Sequence, residues 1–161
     1  MREPDCIDLL RRAGCSEGVI AHCRVVRDLA LTYASDPMVD RDLVEVGALL
    51  HDIGRGVTHD LRHARVGGAI CRSLGLDEAV VSIVERHIGA GLTADECSLL
   101  NLVPRDCMPW TLEEKIVAHA DNLVKGTRII TMEERLQHAI ALPRRQRERI
   151  CRLGLDMELF R

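Results

Sequence analysis

Apolar residues recur along this chain at three- and four-residue spacing, and the alternation expected of a half-buried strand is nowhere sustained. The pattern therefore predicts helices almost from end to end. Pro4 opens a short helix that Gly14 closes, and Ser16 caps a longer one reaching about Ala34, with Val19, Val26 and Ala30 on one stripe and Val25 and Leu29 beside it. Asp36-Pro37 stops that helix. Asp40 caps the next, whose apolar face is Leu43, Val46, Gly47 and Leu50. A glycine-broken loop over 53–62 leads to a helix from about His63 to Leu74, closed by Gly75. Gly67 and Gly68 lie inside it, each costing about 1 kcal/mol relative to alanine, so a close backbone approach is expected there. Asp77 caps a helix carrying Val80, Val81, Ile83 and Val84 as far as His87, and Gly89 and Gly91 end it.

Residues 92–110 are the least regular stretch, with a short turn at Thr93-Ala94-Asp95-Glu96 and then Pro104, Pro109 and Trp110. A loop of this length is often a lid or binding loop. Thr111-Leu112-Glu113-Glu114 is a capping box that starts a helix through Ile116, Val117, Ala120, Leu123 and Val124 to Gly126. Thr131-Met132-Glu133-Glu134 starts another, and Pro143 begins a basic helix from Arg144 to Leu153, closed by Gly154, with one further turn in the tail. The expectation is an all-α bundle of about six to eight helices.

Composition narrows the picture. A chain of 161 residues suits one domain, and 47% apolar residues exclude a disordered one. With one Trp, one Tyr and one Phe, the core must be aliphatic, and stacking platforms for single-stranded nucleic acid are lacking. The formal charge of −3 advertises no polyanion partner. The run Arg144-Arg145-Gln146-Arg147-Glu148-Arg149 is short and interrupted by Glu148, so a solvated helix or an interface is expected of it rather than a nucleic-acid patch. Seven cysteines, an odd count without a CxxC pair, suggest neither a disulfide framework nor a zinc ribbon. Most are expected to be small buried hydrophobes in a reducing compartment. No signal peptide or spanning segment is evident, so a soluble cytoplasmic protein with no membrane partner is expected.

Against this aliphatic background, a few polar groups stand where apolar residues are expected or at helix ends facing the core. They are His22, the adjacent pair His51-Asp52, His87 and Asp121, with His63 opening the helix after the pair. Each has an ordinary explanation alone: a hydrogen-bonded core histidine for His22, a cap or ion-pair partner for Asp121, a favourable cation at a helix C-terminus for His87. Together, imidazoles and carboxylates form a donor set suited to Mn, Fe, Co, Ni or Zn rather than to a thiolate-seeking metal, with Mg less favoured.

The order of His22, then His51-Asp52 within Leu49-Leu50-His51-Asp52-Ile53-Gly54-Arg55, then Asp121 within Ala118-His119-Ala120-Asp121-Asn122-Leu123 resembles the HD-domain metal-dependent phosphohydrolases. The likeness runs from about residue 16 to 128, leaving 131–161 as a C-terminal helical extension of a single HD domain over 1–161. It is closest to small stand-alone members, part of them similar to diadenosine-tetraphosphate hydrolases. The resemblance implies that His22, His51, Asp52 and Asp121 hold one divalent metal. It further implies that His63 and His87, with Asp52 as a bridge, hold a second. Many members carry lysine where this chain has Arg55; arginine keeps the charge and adds a fork but cannot donate a proton at neutral pH.

The mechanism so implied is attack of metal-activated hydroxide on a phosphorus of a small phosphorylated substrate, most naturally a nucleotide. Asp52 and Arg55 would be the catalytic residues, and Arg55, Lys125 and Arg105 the substrate contacts; a solvated surface charge is the ordinary alternative for Lys125 and Arg105. Arg86 neighbours His87 and is expected to point away. Two alternatives remain open: a di-iron oxygenase on the same ligand set, and a non-catalytic sensor of a metal and a nucleotide. A homo-oligomer is compatible with either.

Overall fold

The computed structural model describes residues 1–161 and is all-α, with nine α-helices. They are α1 (Glu3–Arg12), α2 (Glu17–Tyr33), α3 (Arg41–Leu50), α4 (His63–Ser73), α5 (Glu78–Arg86), α6 (Ala94–Leu99), α7 (Leu112–Asn122), α8 (Met132–His138) and α9 (Arg144–Phe160). Helix starts follow the capping chemistry of the sequence. Ser16, Asp40, Asp77, Thr93, Thr111 and Thr131 each accept a backbone N–H of the first turn through the side chain.

Helix ends depart from expectation in two places, and two stretches read as loop contain short helices. The loop after Asp52 contains a 3-10 turn, Ile53–Gly56. Helix α7 stops at Asn122 instead of Gly126, because Val124–Lys125 (β1) pairs antiparallel with Arg128–Ile129 (β2) around Gly126. The last helix continues through Gly154 instead of ending there. Gly154 lies against Met132, where an added Cβ would come within 2.9 Å of the sulfur, so its role is close packing of α9 on α8. The irregular segment after Gly91 also contains α6 and is tied down by a bridge between Leu92 and Cys107.

The core has two aliphatic halves. Ile7, Leu10, Ile20, Leu49, Leu50, Ile53 and Val84 belong to one, built from α1 to α5. Val26, Tyr33, Val44, Ile116, Val117, Ile150, Leu153 and Met157 belong to the other, where α9 closes against α2 and α7. Each fully buried aliphatic side chain contributes roughly 1.5–3 kcal/mol. The paired glycines of α4 do what their helical cost demands. A Cβ on Gly67 would stand 2.8 Å from Val84 Cγ1, and one on Gly68 2.5 Å from Glu85 Cγ, so α4 and α5 meet at a distance only glycine allows. That contact brings the start of α4 and the end of α5 to the same point. Cys6, Cys15 and Cys71 are buried thiols whose pKa values burial pushes up to about 11, 11 and 12, as inert packing residues should show.

Candidate metal centre

Most of the six candidate ligands stand at helix ends. His51 is the C-terminal cap of α3 and Asp52 follows it; His63 is the first residue of α4; His87 caps the end of α5; Asp121 is the penultimate residue of α7. Only His22 comes from mid-helix, in α2.

The four imidazoles are held by one device. Nδ1 of His51 lies 2.7 Å from Ala48 O, that of His63 2.7 Å from Asp60 O, and that of His87 2.8 Å from Val84 O. For His51 and His87 the acceptor is a last-turn carbonyl that the helix leaves unpaired. His22 Nδ1 reaches Gly126 O at 2.7 Å, so the turn between β1 and β2 serves the same purpose. A carbonyl only accepts; each Nδ1 therefore carries a hydrogen, and in the neutral ring each Nε2 presents its lone pair inward.

Those lone pairs converge on the carboxylates. His22 Nε2 is 3.0 Å and His51 Nε2 3.5 Å from Asp121 Oδ1, while Asp52 Oδ2 lies 3.9 Å and 3.7 Å from the same two nitrogens. The other oxygen of Asp52, Oδ1, is 3.1 Å from His63 Nε2 and 3.6 Å from His87 Nε2. Asp52 thus shows one oxygen to each pair of histidines. Ring centroids run His22–His51 at 5.3 Å, His51–His87 at 4.9 Å and His87–His63 at 5.1 Å, so the two halves are continuous.

Three features call for a cation here. His51 Nε2 and Asp52 Oδ1 are buried without a hydrogen-bond partner, an expensive state for a polar atom. His63 Nε2 and His87 Nε2 face each other at 3.1 Å with their second nitrogens already committed to carbonyls. The carboxylates are also strongly biased toward charge. Burial would raise Asp52, but His51, His63 and His87 hold it well below the usual carboxylate range. Asp121 is held down in the same way by His22 and His51 against its burial. Burial opposes a proton on His51, yet Asp52 and Asp121 draw its pKa well above the ordinary value; His87, where burial dominates, is lowered. The donor set and its orphaned atoms fit divalent metal. Two ligand groups form within it, His22 with His51 and Asp121, and His51 with Asp52 and His87.

The cluster floors an open pocket of about 520 Å³. Arg55 stands on its wall, donating Nε to Asp52 Oδ2 at 2.7 Å and one terminal nitrogen to His59 O at 3.2 Å. Lys125 is also on the wall, but from β1 and not from a further turn of α7, and its Nζ is 3.2 Å from His138 Nε2. Arg105 does not join them. It pairs with the buried Glu85 at 3.3 Å and lines a separate aliphatic cavity of about 210 Å³, which shares Leu61 and Ile88 with the first. The loop carrying Arg105 is drawn over α4 and α5 by Glu85 and by its bridge to Leu92, away from the cluster. Arg86 points away to Glu114 at 3.0 Å. Sequence reasoning passed over Arg135 and His138, which α8 brings to the same pocket; no spacing from the motif announces them.

An all-helical fold with a convergent histidine–aspartate cradle defines a helical domain with a candidate metal site. The HD domain family matches residues 19–126, and the chain belongs to that family. Among curated relatives, an uncharacterized protein of Methanocaldococcus jannaschii is 50% identical over 125 residues, 74% of each chain. The tRNA (cytidine(56)-2'-O)-methyltransferase of Thermoplasma volcanium is 46% identical over 132 residues, 82% of this chain but 39% of that protein. Among solved structures, the HD domain of the phosphodiesterase PgpH of L. monocytogenes, in complex with cyclic-di-AMP, has a TM-score of 0.60 at 18% identity over 94% of this chain and 95% of that one. It shares the fold. No helix is long and apolar enough to cross a membrane.

Proposed function

We propose that this chain is a metal-dependent phosphohydrolase acting on a phosphomonoester, phosphodiester or phosphoanhydride of a nucleotide or similar small molecule. The observation that carries the reading is the cradle in which His51 Nε2 and Asp52 Oδ1 stay unpartnered while Nε2 lone pairs of His22, His51, His63 and His87 converge on two carboxylates. In it, His22, His51, Asp52 and Asp121 would hold one divalent transition metal, and His63 and His87, with Asp52, would hold another. Such metals lower the pKa of a bound water and polarise a phosphoryl oxygen. The backbone carbonyls behind the imidazoles fix their tautomers and leave the ligand nitrogens free. Arg55 orients Asp52 through Nε and offers its remaining guanidinium hydrogens to a phosphate at the pocket wall. The PgpH fold in complex with cyclic-di-AMP and the tRNA-modifying relative favour a nucleotide as the phosphorylated compound.

The test is a hydrolysis screen of nucleoside mono-, di- and polyphosphates, cyclic dinucleotides and an aryl phosphate with Mn, Co, Ni, Fe and Zn in turn. Phosphate release that a chelator abolishes and metal restores is expected. Absence of turnover across the whole panel with metal bound would leave a binding role and defeat the hydrolase reading.

A further inference from the structure

Arg135 is a cation on the pocket wall that the reaction above leaves unused. It stands in α8, beyond residues 19–126 matched by the family, and is partly buried. No carboxylate lies within ion-pair distance of it, although its neighbour Arg128 pairs with Glu134 at 3.1 Å. Its Nε donates to Asn122 Oδ1 at 2.9 Å, and the other end of that amide donates to Gly89 O at 2.7 Å. The amide is thereby fixed in one orientation and points the guanidinium, while both terminal nitrogens are without a protein acceptor. Burial pushes the Arg135 pKa below its usual value, with only the charge of Asp121 acting the other way. A half-buried guanidinium that is aimed but unpaired is costly unless an anion completes it.

The surroundings select an anion. Asp121 is the only carboxylate on the pocket wall, and its oxygen is already engaged by His22 and His51. Lys125, also without a carboxylate partner, adds a second cation on the same wall beside His138. An arginine fork with a nearby ammonium is suited to phosphate.

We infer that Arg135, assisted by Lys125, forms a second phosphate subsite, so that the substrate carries another phosphate besides the one cleaved at the metals. The preferred substrate is then a bisphosphorylated or oligonucleotide-like compound rather than a simple monoester. This inference rests on the phosphohydrolase reading for the place of the first phosphate.

Calorimetric titration of the manganese-loaded full chain tests it with nonhydrolysable probes: methylphosphonate, and bisphosphonates joined by methylene, butane and hexane linkers. Wild-type protein should bind the best-matched bisphosphonate at least about tenfold tighter than methylphosphonate, as one charge-assisted contact implies. Arg135→Gln should remove that advantage and leave methylphosphonate affinity unchanged, and Arg135→Lys should recover part of it. A purely structural role for Arg135 would lower the melting temperature without changing the ratio of the two affinities. Equal bisphosphonate preference in wild type and Arg135→Gln, or no preference in wild type, overturns the subsite. Bisphosphonate binding that needs Arg135 but not the metal supports the subsite and counts against the hydrolase reading.

Discussion

The molecule buries histidine beside carboxylate in two places, and only one has the makings of a metal centre. In the cradle, His51 is fully buried, its Nδ1 is tied to Ala48 O, and its Nε2 faces two carboxylates and a second ring. On the other face of α7, His119 is 1% exposed; its ring packs edge-on against Tyr33 at 5.1 Å, and its Nε2 lies 3.7 Å from Glu158. Neither of its ring nitrogens has a hydrogen-bond partner, and Glu158 takes its bond from the Tyr33 hydroxyl, at 2.6 Å. Both places set a buried imidazole beside a carboxylate. The difference is that backbone carbonyls fix the tautomer of every cradle imidazole, while nothing fixes that of His119, and that several lone pairs meet at one point rather than one ring meeting one acid. Convergence, more than burial, separates a candidate ligand from a packed histidine.

The contrast breaks most visibly at Asp52. Because its two oxygens face different histidine pairs, Asp52→Asn should weaken metal binding at both positions, by at least about a hundredfold. Elemental analysis of the purified variant should then find almost no metal, and hydrolysis should fall with it. Full metal content in Asp52→Asn would mean that Asp52 is no ligand. A smaller effect is expected at one end of the cradle. His87→Ala removes a ring from the His63 side only, so metal content should drop from about two per chain to about one. Unchanged stoichiometry would take His87 out of the site.

How much of this was visible in the chain depends on the range of the interaction. Caps act within four residues, so Ser16, Asp40, Asp77, Thr93, Thr111 and Thr131 announce their helices. The two-residue offset between His119 and Asp121 turns them to different helix faces, so spacing alone separates the two. Gly154 and Gly126 misled for the opposite reason. A glycine reads as a stop unless one knows that Met132 presses on it, and a helix reads on to Gly126 unless one knows that a hairpin competes for its last turn. The carbonyl of Gly126 that holds His22, and Arg135 on the pocket wall, are products of tertiary placement; a backbone oxygen has no residue type to read, and an arginine in a polar helix looks like any solvated charge.

The smallest expected effect sharpens the other side of the comparison. His119→Phe keeps the volume and the aromatic contact with Tyr33 while deleting two buried nitrogens that lack partners. Metal content should not change, and stability near neutral pH should stay level or rise by about 1 kcal/mol. The acid side distinguishes the two chains further. Burial lowers the His119 pKa below its ordinary 6.5 despite Glu158, so in the native state the ring stays neutral where the unfolded chain already binds a proton. Above that ordinary value both states are neutral and the ring adds no pH dependence. As pH falls below it, the unfolded state gains the proton first and wild-type stability declines, by up to about 1.4 kcal/mol per pH unit until the folded pKa is reached. His119→Phe lacks this loss. Urea midpoints at pH 7.5 and 5.5 should therefore show a gap between variant and wild type that widens at the lower pH; a constant gap would mean that the His119 pKa is the same folded and unfolded, and a gap that narrows would mean that His119 is protonated in the native protein and paired with Glu158.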